Sequence, residues 1–177
     1  MTMEIRTTRL LLRPPQDADA EAMVALAGNL KVARMTARIP HPYSVENARQ
    51  WIVETRSVHD RGDGRRFAIQ VEAVFAGMIG VEMSGDGRYE LSYWIGEPWW
   101  GVGIATEAAQ AVVRFARESL GAETLEAGFL YGNPASGRVL AKCGFVRTGE
   151  VMQWCESRGQ AVKCHRLRLE LGKAARP

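Results

Sequence analysis

The chain has 177 residues, a formal net charge of +3 and three cysteines, with 46% hydrophobic and 24% charged residues. That balance predicts one domain with a sizeable core, and its charge is too mild for a nucleic-acid binder, though it suits a polyanionic cofactor. No apolar run is long enough to cross a membrane, and Leu10-Leu11-Leu12 lies between Arg9 and Arg13 rather than in a signal peptide, so a soluble cytoplasmic protein is expected.

In chain order, residues 4–13 read as a strand, and Met23, Leu26, Ala27 and Leu30 mark the buried face of a following helix. Residues 35–43, with Pro40 and Pro42, form a loop. Ser44 caps a second helix with Ala48, Trp51, Ile52 and Thr55 on its core side, and Asp60-Arg61-Gly62-Asp63-Gly64 ends it. Phe67, Ile69 and Val71 alternate, residues 75–83 form the next strand, and Gly85-Asp86-Gly87 is a turn. The aromatic and branched run from Tyr89 through Ile95 is a further strand, stopped at Gly96-Glu97-Pro98. Ala105, Ala108, Ala109, Val112, Phe115 and Ala116 then recur at helical spacing up to Gly121.

Residues 124–130 read as a strand, followed by a helix with Asn133 as cap, Pro134 in its first position and Gly144 at its end. Residues 145–154 and 162–171 pair as a final antiparallel hairpin, and residues 173–177 fray. There is no internal repeat. The order implies an α/β (α+β) domain over residues 1–177, with a mixed, mainly antiparallel sheet of about seven strands and helices on both faces.

The glycines between the strand ending at Ile95 and the helix after Gly103 carry the chemistry. The first N–H groups of that helix have no internal partner, and with the helix dipole they favour an anion. Gly101 and Gly103 keep side chains away from that backbone. Neither G-x-x-x-x-G-K-S/T nor G-x-G-x-x-G is present, so the turn fits neither a P-loop nor a dinucleotide fingerprint. Cys143, Cys155 and Cys164 lack zinc-ligand spacing, so no metal is expected. Cys155 and Cys164 could face each other across the last hairpin, but free thiols are expected in a reducing cytosol. None of the three histidines sits in a Ser-Asp arrangement that would make a hydrolase triad.

Trp100-x-x-Gly103-x-Ala105 is similar to the acetyl-CoA pyrophosphate motif Arg/Gln-x-x-Gly-x-Gly/Ala of the GNAT N-acetyltransferase superfamily. Asn133-x-x-Ser136 through Lys142-Cys143-Gly144-Phe145 resembles that family's second cofactor-side motif. Thr8-Arg9-Leu10-Leu11-Leu12-Arg13-Pro14 with Asp17-Ala18, and Glu90-Leu91-Ser92-Tyr93-Trp94-Ile95, resemble the branch of the ribosomal-protein N-terminal (alanine/serine) acetyltransferases. The likeness runs from Thr8 to Leu169. Trp100 stands where the superfamily usually has Arg or Gln, and Leu140 where much of it has the Tyr that protonates the departing thiol.

The resemblance implies a splay between the fourth and fifth strands, with the pantetheine arm of acetyl-CoA on Tyr93, Trp94 and Ile95. It places the pyrophosphate on Trp100, Gly101, Val102, Gly103, Ile104, Ala105 and Thr106, with Asn133, Ser136 and Arg138 as further cofactor contacts. The acid for the thiolate moves to Ser136, with Tyr131 as runner-up; Glu90, Glu82 or water is the base. The implied function is direct acetyl transfer from acetyl-CoA to a primary amine, most simply a protein or peptide N-terminus. A small-molecule amine, or a non-catalytic acyl-CoA sensor, are the other readings. The acceptor would be walled by residues 35–43, the second helix and the last hairpin, and a homodimer is expected by family likeness only.

Overall fold

The computed structural model describes residues 3–84 and 87–172. Among them, strands β1 (Ile5–Arg6), β2 (Leu10–Arg13), β3 (Gly64–Val71), β4 (Val74–Met83), β5 (Tyr89–Ile95), β6 (Thr124–Leu130), β7 (Val146–Cys155) and β8 (Gln160–Glu170) form one sheet. Its order is β1-β2-β3-β4-β5-β6-β8-β7. Every pairing is antiparallel except that of β5 with β6. The expected architecture is present with one strand more. Residues 4–13 are a hairpin rather than a single strand, because the Thr7 hydroxyl accepts from Leu10 N at 3.0 Å and the Thr7 N–H donates to Leu10 O at 3.0 Å, folding the chain back.

The first expected helix is likewise two pieces, α1 (Ala20–Ala27) and α2 (Leu30–Ala33). Asn29 breaks it by capping α2, its Oδ1 accepting from Lys31 N at 3.0 Å, and Leu30 turns out to solvent instead of joining the core. Helix α3 (Val45–Arg61) starts at Ser44 in a capping box with Asn47 and ends at the left-handed Gly62. It buries Ala48, Ile52, Thr55 and Val58, while Trp51 lies half-buried over the Arg66 guanidinium, 4.9 Å from its ring centroid. Within the turn expected at residues 85–87, positions 85 and 86 lie outside the described residues, as do the C-terminal residues expected to fray.

Two apolar layers result. On one face α4 (Ile104–Ser119) and α5 (Pro134–Lys142) pack on Leu10, Leu12, Phe67, Ile69, Val81, Leu91, Leu125 and Ala127. The apolar stripe of α4 is buried along its length, and Phe115 meets Phe67 edge-on with ring centroids 5.7 Å apart. On the other face α1 and α3 cover Ala68, Phe75 and Met78. Tyr89, Leu91, Tyr93 and Ile95 therefore face α4 and α5, and Glu90, Ser92 and Trp94 face the α1 and α3 side. No helix among the described residues is long and apolar enough to cross a membrane.

The one parallel pair decides where the site lies. Strand β5 pairs with β6 only through Tyr89↔Leu125, Glu90↔Glu126 and Leu91↔Ala127. Beyond Leu91, β5 stays on β4 while β6 stays on β8, so the two strands part and the sheet opens between them.

Candidate active site

A cleft of about 930 Å³ passes through this opening. On one side it is lined by Tyr93, Ile95, Trp100, Gly101, Gly103, Ile104, Ala105, Thr106, Asn133, Ser136 and Arg138, and on the other by Met35, Arg38, Trp51, Glu82, Glu90 and Gln153. The first group gathers most of the expected cofactor residues.

Gly103 caps α4 at φ 87°, a backbone that side chains resist, and Gly101 lies at φ 76°. The N–H groups of Ile104, Ala105 and Thr106 open the helix without intrahelical acceptors, since the first such bond is from Glu107 N to Gly103 O at 3.1 Å. Arg9 braces this turn from β2's hairpin, donating from Nη1 to Val102 O at 2.8 Å and from Nε to Glu107 Oε2 at 2.7 Å. Thr7 Oγ1 donates to Glu107 Oε1 at 2.6 Å. Burial pushes the Glu107 carboxyl up, but the bonds from Thr7 and Arg9 outweigh it and hold it below its ordinary range. Trp100 anchors the other end of the turn by donating from Nε1 to Ile95 O at 2.7 Å. That carbonyl, expected free for the pantetheine arm, is thus already engaged. Arg138 and Lys142 line the cleft without an ion-pair partner among the described residues; Lys142 lies within the second motif, but the sequence pattern assigns it no cofactor contact.

Helix α5 sits close to the sheet because Gly137 has no side chain; a Cβ there would lie 2.8 Å from the Phe129 ring. Asn133 accepts from Ser136 N at 3.2 Å, and its Nδ2 reaches toward Met35 O at 3.5 Å. The closeness brings Ser136 Oγ within 2.8 Å of Tyr93 Oη. Burial pushes the Tyr93 phenol up to about 12, against the opposing bond to Ser136. Tyr131, the runner-up acid, does not join them. It is 66% exposed outside the cleft, its ring turned to His165 at 6.2 Å between centroids. Leu140 is fully buried, so α5 offers no substitute phenol.

The two candidate bases are cross-strand neighbours on the α1 and α3 side of the sheet. Both oxygens of Glu82, itself part-buried, are taken by Arg66, at 2.7 Å each, and Arg66 is buried against the Trp51 ring. Glu90 accepts from Arg166 Nη1 through Oε1 at 2.7 Å, and its Oε2 has no partner among the described residues. Geometry therefore leaves Glu90 the freer of the two. Burial pushes the Cys164 thiol up, and Cys155 opposes Gln160 rather than Cys164, so the hairpin cysteines do not face each other; all three thiols are free. The described residues contain no group of three His, Cys, Asp or Glu placed to hold a metal.

Residues 35–39 and Tyr43 line the far end of the cleft. Ala37 O accepts from Glu156 N at 2.9 Å and Arg34 O from Arg158 Nε at 2.8 Å, tying this loop to the last hairpin.

The family model described as acetyltransferase (GNAT) domain matches residues 9–146. The chain belongs to the GNAT acetyltransferase family. It is 30% identical over 159 residues to the uncharacterised N-acetyltransferase YoaA of Bacillus subtilis, covering 88% of this chain and 89% of that one. Its fold is similar to the ribosomal L7/L12 α-N-protein acetyltransferase RimL in complex with coenzyme A, at a TM-score of 0.82, 20% identity, and 95% and 98% coverage. It is equally similar to the microcin C7 self-immunity acetyltransferase MccE in complex with acetyl-CoA and AMP, at 0.82 and 15% identity, with 93% and 94% covered. This GNAT chain is thus an acetyl-CoA-dependent N-acetyltransferase, and the splay, the α4 turn and α5 line its cleft.

Proposed function

We propose that the acceptor is the α-amine of a protein or peptide N-terminus, acetylated by direct transfer while both substrates are bound. The observation that carries this is the state of the carboxylates on the acceptor wall: Glu82 and Glu90 are each held by an internal arginine, at 2.7 Å. A polyamine or aminoglycoside needs several free carboxylates, and the two that line the cleft among the described residues, Glu82 and Glu90, leave one oxygen open. An α-amine asks for less, because with a pKa near 8 roughly ten per cent of it is neutral at pH 7, against well under one per cent for lysine. The likeness to RimL, an α-N-protein acetyltransferase by name, supports the same choice.

In this reading acetyl-CoA lays its pyrophosphate on the α4 turn and its thioester between β5 and β6. The amine enters from the α1 and α3 side, with Glu90, directly or through water, taking its proton. A backbone N–H of β5 beyond Leu91 holds the oxyanion, a contact of the kind worth roughly 3 kcal/mol in acyl transfer. Ser136 protonates the departing thiolate. Incubation with acetyl-CoA and a panel of free-N-terminus peptides, N-terminally blocked lysine peptides, polyamines and aminoglycosides, read by mass spectrometry, tests the assignment. Peptide α-amines are expected to be acetylated at least tenfold faster than the rest. Preferential acetylation of a small amine would move the enzyme to metabolism or detoxification, and tight acetyl-CoA binding with no product would favour the sensor.

A further inference from the structure

Tyr93 belongs to β5 and Ser136 to α5, and nothing in the transfer just described requires their side chains to touch. Yet the phenol and the hydroxyl are 2.8 Å apart at the cleft wall, where either oxygen can be the donor, and the Tyr93 hydroxyl is also placed to donate to Ser136 O at 3.2 Å, so the nearer Oγ and the carbonyl compete for its one proton. Two features hold the pair in place. Asn133 fixes Ser136 N from the helix cap, and Gly137 lets α5 settle on Phe129. Tyr93 is itself clamped between β4, where it pairs with Ile79, and the core under α4. A serine hydroxyl alone is a poor proton donor. A donor behind it that refills its oxygen as its own proton leaves makes it a better one.

We propose that Tyr93 is the positioning residue of the leaving-group acid: it donates to Ser136 Oγ, aims the Ser136 proton into the cleft, and replaces it as the thiolate departs. The inference rests on Ser136 being that acid. In the step, the acceptor nitrogen bonds to the acetyl carbon and loses its proton to the base, and the C–S bond breaks. The sulfur takes the Ser136 hydroxyl proton, Ser136 Oγ takes the Tyr93 proton, and the phenolate regains one from solvent water. The phenol that α5 lacks at Leu140 is supplied from the strand beside it.

The test compares Tyr93→Phe, Ser136→Ala and the double variant with acetyl-CoA and the best acceptor peptide, after melting curves show that each is folded. At pH 7, kcat should fall roughly tenfold in Tyr93→Phe and about a hundredfold in Ser136→Ala, while KM and calorimetric affinity for acetyl-CoA stay within about twofold. The double variant should be no slower than Ser136→Ala, because the two act as one unit. Wild-type kcat in Tyr93→Phe with a slow Ser136→Ala would remove the relay and leave Ser136. Wild-type kcat in both would remove the acid and the relay together, without touching the choice of acceptor. Multiplying losses, or weakened acetyl-CoA binding at full kcat in Tyr93→Phe, would also overturn it, the latter making Tyr93 a cofactor contact. Fluorotyrosine placed at position 93 keeps the ring and acidifies the phenol. Because only the protonated phenol donates, its kcat should fall as pH rises through the lowered pKa; a profile like that of wild type would contradict the relay.

Discussion

Thr106→Glu is expected to abolish acetyl-CoA binding while leaving the fold intact. Thr106 is the third residue of α4 and lines the cleft where the unpaired N–H groups gather. A carboxylate in a helix's first turn is favoured by the helix dipole, by about 0.3–1 kcal/mol, so the variant should melt no earlier than wild type. The same charge beside a pyrophosphate removes the attraction the turn provides. A rise in the acetyl-CoA dissociation constant of about a hundredfold, roughly 2.7 kcal/mol, is expected by calorimetry. Thr106→Gln, equal in size and neutral, should cost far less. Gly103→Glu would answer less cleanly: at φ 87° a side chain adds strain of about 1–3 kcal/mol and lies 3.2 Å from the Arg9 guanidinium. Unchanged affinity in Thr106→Glu would remove the pyrophosphate from this turn.

The second large effect is on stability. Arg13 and Asp19 form a buried pair, with contacts of 2.6 and 2.8 Å, and Asp19 also accepts from Gln16 N at 2.7 Å. Their side chains are only 10% and 6% exposed. Asp19→Ala strands a guanidinium and an amide in the interior, at a cost of about 3–5 kcal/mol. It also frees the start of α1, which carries Met23 to the cleft wall. The melting temperature should drop by on the order of 10 °C. Asp17→Ala is the contrast: its pair with Arg56 is largely exposed, 54% and 72%, and its loss should cost at most about 1 kcal/mol. A loss below about 1 kcal/mol in Asp19→Ala would show that the pair does not hold α1 to the sheet.

The contrast between Asp17 and Asp19 illustrates what a sequence carries locally. Helices α4 and α5 are legible because their caps, glycine stops and apolar spacing all lie within the segment. The break between α1 and α2 is not, since Leu30 keeps helical spacing with Met23 and Leu26 even though Asn29 redirects the chain. The reach of the cofactor turn was visible in Gly101 and Gly103, but its brace from Thr7 and Arg9 joins residues nearly a hundred positions away. The same distance hides the partners of the two candidate bases. Glu82 and Glu90 look alike in sequence, and only the pairing of β3 with β4, and of β6 with β8, decides that one has both oxygens occupied and the other one. Tyr93 is read as a pantetheine contact from its strand alone; its meeting with Ser136 follows from how closely Gly137 lets α5 approach.

The cleft opens through the sheet, and in the proposed transfer the acyl donor and the amine meet there with no acetyl group passing onto the protein. Initial velocities measured over a grid of acetyl-CoA and peptide concentrations test this most directly. Intersecting double-reciprocal lines, with no acetylated protein recovered when the peptide is left out, are the predicted result. Parallel lines, with an acetyl group isolated on the enzyme, would mean a covalent intermediate. That would contradict direct transfer across the splay of β5 and β6.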